Sequence, residues 1–228
     1  MKIWLSLLAI ALGYLLGSVP TGLLIVKFST GKDVRGIASG RTGGTNAMRA
    51  AGFWAGLGTA IADLLKAAAA AWIARGLVPD GSWVHMLAPL GAIAGHNYSI
   101  FLLKRDQTGR LQLAGGAGGA PTVGGAFGLW PFSILIIVPL AALILYFVGY
   151  ASIATISVAL IATLIFAYRA WIGVSPWQYI LYGVLAEILL LWALRPNIRR
   201  LSNGNERLMG FRARHPKKAS GQADASHS

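Results

Sequence analysis

Residues 132–150 read Phe-Ser-Ile-Leu-Ile-Ile-Val-Pro-Leu-Ala-Ala-Leu-Ile-Leu-Tyr-Phe-Val-Gly-Tyr, without a charged side chain. A helix needs about 20 apolar residues to cross a hydrocarbon core. Lipid offers no water to the backbone, so a segment of this kind crosses as a helix or as part of a closed barrel. A barrel would alternate polar and apolar residues over about ten positions. This run is continuous instead, and so are its neighbours. The fold class that follows is all-α, polytopic and membrane-embedded.

Working outward, similar runs fall at about Ile3–Phe28, Phe53–Ala74, Trp83–Leu103, Ser152–Tyr168 and Trp177–Leu194. The apolar stretch after Lys2 continues past Pro20, longer than the apolar core of a signal peptide, and reads as a first span. Between Leu111 and Leu129 the chain is apolar but too rich in glycine for an ordinary helix, which suggests a short or partly re-entrant pass. The count is seven spans, or six if that stretch never crosses. Seven is favoured because it puts the basic segments on one face: Lys32, Arg35, Arg41 and Arg49, then Lys104, Arg105 and Arg110, then Arg195, Arg199 and Arg200. The positive-inside rule makes that face cytoplasmic and leaves the amino terminus outside. Residues 1–210 form a single membrane domain, and 211–228 have the composition of a solvated, disordered tail that brushes anionic lipid.

With 56% hydrophobic residues in 228 and a mean hydropathy of +0.62, no soluble domain remains to carry nucleic-acid binding. The +13 net charge is explained by orientation and by attraction to anionic headgroups. The chain has no cysteine, so disulfide, thiolate and cysteine-ligated metal chemistry are excluded. There is no His-x4-Asp pair, no Gly-x-Ser-x-Gly elbow and no metal-binding cluster. No metal or cofactor is expected.

Three polar elements carry the chemistry. The first is Ser39-Gly40-Arg41-Thr42-Gly43-Gly44-Thr45-Asn46-Ala47-Met48-Arg49. Glycines let the backbone approach an anion, hydroxyls and guanidinium groups donate to phosphate, and a helix starting near Thr45 would add its dipole. A mobile basic loop that only sets topology is the plain alternative. The second element, Gly115-Gly116-Ala117-Gly118, is either another phosphate cradle or a device for tight helix packing. It lacks the Lys-Ser/Thr ending of a P-loop, which argues against nucleotide hydrolysis. The third is Asn197-Ile198-Arg199-Arg200-Leu201-Ser202-Asn203-Gly204-Asn205-Glu206, on its own an electrostatic anchor. Within the spans, Asp63 and Lys66 lie three apart and can neutralise each other, Glu187 is a lone acid, and His96 and Asn97 fall inside the third span.

Together these elements resemble the acyl-phosphate-dependent glycerol-3-phosphate acyltransferases of bacterial membranes. That family's first motif is like Ser-Gly-Asn-x-Gly-Ala-Thr-Asn-x-x-Arg, matched here by residues 39–49 with Arg41 for asparagine. Asp63-Leu64-Leu65-Lys66 follows at the family's spacing, and Gly17-Ser18-Val19-Pro20-Thr21-Gly22 and Gly95-His96-Asn97 are also similar. The third motif, Asn-Ile-x-Arg-Leu-x-x-Gly-x-Glu, is present in full. The middle motif, Gly-Gly-Lys-Gly-x-Ala-Thr in the family, has Ala117 at the lysine position; Lys104, Arg105, Arg110 or Arg41 could replace that charge.

The resemblance implies a seven-span enzyme of the inner membrane, with its active site toward the cytoplasm. It would use acyl phosphate and glycerol 3-phosphate to make 1-acylglycerol 3-phosphate. The catalytic residues it implies are Ser39, Arg49, His96, Asn197 and Arg200. The substrate-binding set is Gly40, Arg41, Gly43, Thr45, Asn46, Lys104, Gly115, Gly116, Gly118 and Glu206. Two rivals stand beside it: an anion channel or transporter, and a catalytically degenerate relative that binds lipid.

Overall fold

A computed structural model describes residues 2–105 and 109–214. Helix α1 (Lys2–Ser18) breaks at Val19-Pro20 and continues as α2 (Thr21–Thr30). Then come α3 (Gly44–Ala51), α4 (Phe53–Leu77), α5 (Ser82–Asn97), strands β1 (Ser99–Arg105) and β2 (Leu111–Ala114), and α6 (Gly119–Leu129). Helices α7 (Ile134–Val148), α8 (Ala151–Trp171), α9 (Gln178–Ser202) and α10 (Gly210–Arg214) complete the chain. The disordered tail expected from residue 211 begins inside α10, and 215–228 lie outside the described residues.

Five helical stretches among the described residues are long and apolar enough to cross a membrane: Lys2–Thr30, Phe53–Leu77, Pro131–Val148, Ala151–Trp171 and Gln178–Ser202. Large apolar side chains such as Leu135, Phe147 and Leu164 stand exposed on them, as lipid-facing positions should. The chain is a multi-pass membrane protein, mostly helical.

Two expectations are corrected here. The all-helical architecture is interrupted by one antiparallel hairpin, in which Leu103, Lys104 and Arg105 face Leu113, Gln112 and Leu111. The expected third span, Trp83–Leu103, therefore stops being helical at Asn97. The reason is local competition for its last backbone groups. The Gly116 amide donates to the His96 carbonyl at 2.8 Å and the Tyr14 hydroxyl to the Tyr98 carbonyl at 2.9 Å, while the Ser99 hydroxyl, donating to the Ser18 carbonyl at 2.5 Å, anchors the start of the strand to α1. Apolar character alone carried the reading of Ile100–Leu103 as helix, and a half-exposed strand is just as apolar. Beyond the hairpin, the glycine-rich 111–129 stretch is one strand and an 11-residue helix.

Small residues set how the helices pack. A methyl group at Gly13 or Gly17 of α1 would overlap the backbone of Ala88 or Ala92 of α5, and one at Gly95 would overlap that of Tyr14. Gly124 of α6 is pressed in the same way against Leu64 of α4. Lipid gives helices no hydrophobic reason to associate, so close backbone approach and its dispersion contacts do the joining. Around Tyr182, whose hydroxyl donates to the Thr122 carbonyl at 2.7 Å, buried Phe166, Leu190 and Ile137 form the larger core.

Candidate functional site

At one end of the bundle lies a cavity of about 530 Å3. All three polar elements reach it. From the first come Ser39, Arg41, Gly43, Thr45, Asn46 and Arg49; from the second, Gly118; from the third, Asn197, Arg200 and Glu206. His96 and Asp63 form part of the wall. Of the expected residues, Gly40, Lys104, Gly115 and Gly116 line a neighbouring cavity instead, and Arg41 is common to both.

Three helices start at this cavity. Gly44 and Thr45 of α3, Gly119 and Ala120 of α6, and Ala151 and Ser152 of α8 all line it. The first N–H groups of a helix have no intrahelical acceptor and sit at the positive end of its dipole. Their convergence makes a cradle for an anion from backbone alone. Gly118 allows one of the three, because it holds φ = 91° in the turn before α6, where a side chain would also meet the Asn97 amide.

Arg41, Arg49, Arg200 and Arg207 add four guanidinium groups. Two acids share the wall, and both are engaged elsewhere. Glu206 accepts from Ser152 at 2.6 Å and from the Asn197 amide at 3.1 Å. Asp63 accepts from Thr21 at 2.5 Å and pairs with Lys66 at 2.8 Å. Burial pushes the Arg41 guanidinium below its usual value, and the charge of Arg200 pushes the same way. Arg49 is lowered by burial and by Arg207, with Glu206 opposing. Cations that repel one another across a cavity are relieved by an anion between them.

The first element is held rigidly by its own side chains. Asn46 Nδ2 lies within 2.8–3.0 Å of the carbonyls of Val34, Ile37 and Arg41. Its amide nitrogen therefore shapes the loop, while the residue also lines the cavity. The Thr42 amide donates to the Gly115 carbonyl at 3.3 Å, and Arg41 Nη1 to the Gly116 carbonyl at 3.4 Å, tying the first element to the second. Arg41 Nη2 donates to the Ala193 carbonyl of α9. Ser39, Thr45, Arg49 and Arg200 remain exposed toward solvent.

On one side the wall turns apolar, with Met48, Phe53, Leu57 and Ala60. The arrangement can therefore hold a phosphate-bearing head at its polar floor with an alkyl chain beside it. Sequence reasoning missed Arg207, Ser152 and the apolar wall. Arg207 directly follows the third motif and was readable as basic, whereas Ser152 joins the site only because α8 begins there.

Comparison with known proteins agrees. Residues 7–204 match a family model described as glycerol-3-phosphate acyltransferase. A glycerol-3-phosphate acyltransferase of Rubrobacter xylanophilus is 37% identical over 209 residues, covering 92% of this chain and 98% of that protein. Glycerol-3-phosphate acyltransferase 2 of Moorella thermoacetica is 33% identical, covering 91% and 99%. Among solved structures, PlsY (YgiH), an integral membrane glycerol 3-phosphate acyltransferase, superposes in its glycerol 3-phosphate form with a TM-score of 0.76 at 29% identity, covering 90% of this chain and 96% of that one. Its lysophosphatidic acid form gives 0.74 at 28%, covering 90% and 95%. The chain belongs to the glycerol-3-phosphate acyltransferase family and is an integral membrane acyltransferase.

Proposed function

We propose that the chain transfers an acyl group from acyl phosphate to glycerol 3-phosphate, giving 1-acylglycerol 3-phosphate and inorganic phosphate. The observation that carries this reading is the meeting of three helix N-termini and four arginines beside an apolar wall. Two phosphate groups and one alkyl chain need those three features together. Arg49 and Arg200 clamp phosphate, with Ser39, Thr45 and Asn197 donating hydrogen bonds. The glycerol hydroxyl attacks the acyl carbonyl, the new C–O ester bond forms, and the C–O bond to phosphate breaks. A phosphate oxygen takes the hydroxyl proton. Phosphate is a good leaving group, so placement and charge neutralisation do most of the work.

The same site supports seven crossings. Its segments come from before α4, between α5 and α6, before α8 and after α9. Each of the pairs α4/α5, α6/α7 and α8/α9 then leaves this face and returns, and α1–α2 adds the seventh pass. The basic segments share that face, which makes it cytoplasmic and the amino terminus external. In a bacterial cell the membrane is the inner one.

The test is transfer from palmitoyl phosphate to labelled glycerol 3-phosphate by purified protein in detergent, with palmitoyl-CoA as control. Lysophosphatidate from the phosphate donor alone is expected. Product from palmitoyl-CoA alone would overturn the choice of donor.

A further inference from the structure

Beneath the cavity floor, Lys66 Nζ meets three acceptors. Asp63 Oδ1 lies at 2.8 Å, the Val19 carbonyl at 3.0 Å and His96 Nδ1 at 3.0 Å. An ammonium has three hydrogens and no lone pair. The three acceptors use all of them. We infer that Lys66 is a positioning residue that fixes His96 in the tautomer protonated on Nε2, so that His96 donates a hydrogen bond into the cavity and does not take a proton from substrate.

Two arrangements compete for the ring. In one, Nδ1 carries the proton and gives it to Asp63, leaving Nε2 as a base. In the other, Nδ1 accepts from Lys66 and Nε2 carries the proton. The Nδ1 to Asp63 Oδ1 distance is 3.3 Å, longer than the 3.0 Å to Lys66. The first arrangement also points the Nδ1 hydrogen at the side on which the ammonium stands. It is relieved only if Lys66 gives up its proton beside a buried carboxylate, which leaves that charge uncompensated. Asp63 Oδ1 is already occupied by the Thr21 hydroxyl and Lys66. The second arrangement gives each Lys66 hydrogen an acceptor and His96 Nδ1 a donor. A histidine's free nitrogen is set in this way by the bond its other nitrogen makes.

The Nε2 end of the ring lies between Gly116 and cavity-lining Gly43. His96 is 5% exposed and lines the cavity, while Nε2 has no hydrogen-bond partner among the described residues. Gly116 packs against it so closely that a methyl group there would overlap the ring. Gly43 stands on the cavity side. A proton on Nε2 thus meets an anionic oxygen of the bound substrate, either a phosphate oxygen or the carbonyl oxygen as charge builds on it. What the donor touches rests on the acyl-transfer reading; which nitrogen carries the proton does not.

The experiment is a long-range 1H–15N correlation spectrum of histidine-labelled protein in detergent micelles, with the His96 signals assigned by their loss in His96→Gln. The expected result is a protonated Nε2 and a bare, hydrogen-bonded Nδ1 in the wild-type protein, and a shift of the proton to Nδ1 in Lys66→Met. A protonated Nδ1 in the wild type would overturn the inference even if Lys66→Met fails to fold. The spectrum needs no turnover, so it stands or falls separately from the choice of reaction. Activity gives the second readout. A glutamine amide can donate from near the Nε2 position, so His96→Gln should keep transfer within about tenfold of wild type while His96→Leu loses about 100-fold. Equal losses in the two variants would mean that His96 is a base after all.

Discussion

Arg41 of the first polar element donates to the carbonyl of Gly116 in the second, 3.4 Å away. The contact places a guanidinium next to Ala117, which stands at the lysine position of the motif that the second element resembles. Arg41→Ala should therefore lower kcat/KM by about 100-fold. Adding Ala117→Lys to that variant should return part of the loss, read by the same transfer assay. Full activity in Arg41→Ala would remove the guanidinium from substrate binding.

Arg49 tests the clamp separately from the fold. It is exposed, and its guanidinium donates to the Met209 sulfur at 3.6 Å. Arg49→Ala should leave the thermal midpoint within a few degrees, since surface changes are usually worth less than about 0.5 kcal/mol. Transfer should fall by more than about 100-fold, as for removal of a donor to developing charge.

Much of this arrangement was legible in the chain itself. The apolar runs gave α4, α7 and α8 to within a few residues, because nothing but a spanning helix accommodates them; α9 runs eight residues past the expected Leu194, through the basic segment to Ser202. The spacing of Asp63 and Lys66 gave their ion pair, since residues three apart share a helix face. What escaped was tertiary. Ile100–Leu103 continues the hydropathy of α5, yet the chain from Ser99 to Arg105 pairs with Leu111–Ala114, because the Gly116 amide and the Tyr14 hydroxyl claim the His96 and Tyr98 carbonyls that a longer helix would need. Asn46 was read as a ligand donor for its motif position, and its amide turned out to be shared among three loop carbonyls. Nothing in the local sequence announces that α3, α6 and α8 begin at one point.

Glu206 is the strap of the third element. It holds Ser152 at the start of α8 and Asn197 near the end of α9, so the segment carrying Arg207 is fastened across the cavity. Glu206→Ala strands two partly buried partners, at about 1–3 kcal/mol. Substrate should bind more weakly while the chemical step is largely preserved. Steady-state kinetics should show KM for glycerol 3-phosphate rising about tenfold or more with kcat changed less.

The topology makes its own prediction. The natural chain lacks cysteine, so single cysteines report without background. Lys32→Cys lies on the basic face, and Val174→Cys, at an exposed position, lies between α8 and α9 on the other. In intact cells a membrane-impermeant maleimide should label Val174→Cys and spare Lys32→Cys. The reverse pattern would invert the orientation, and labelling of both from outside would break the parity argument for seven crossings.

The central claim is that one cavity joins an acyl phosphate to glycerol 3-phosphate. It is tested most directly by measuring inorganic phosphate released from palmitoyl phosphate against lysophosphatidate formed, with and without glycerol 3-phosphate. One phosphate per lysophosphatidate is expected, with negligible release when the acceptor is omitted. Phosphate release that ignores glycerol 3-phosphate, or lysophosphatidate formed without it, would rule out direct transfer between the two substrates in this cavity.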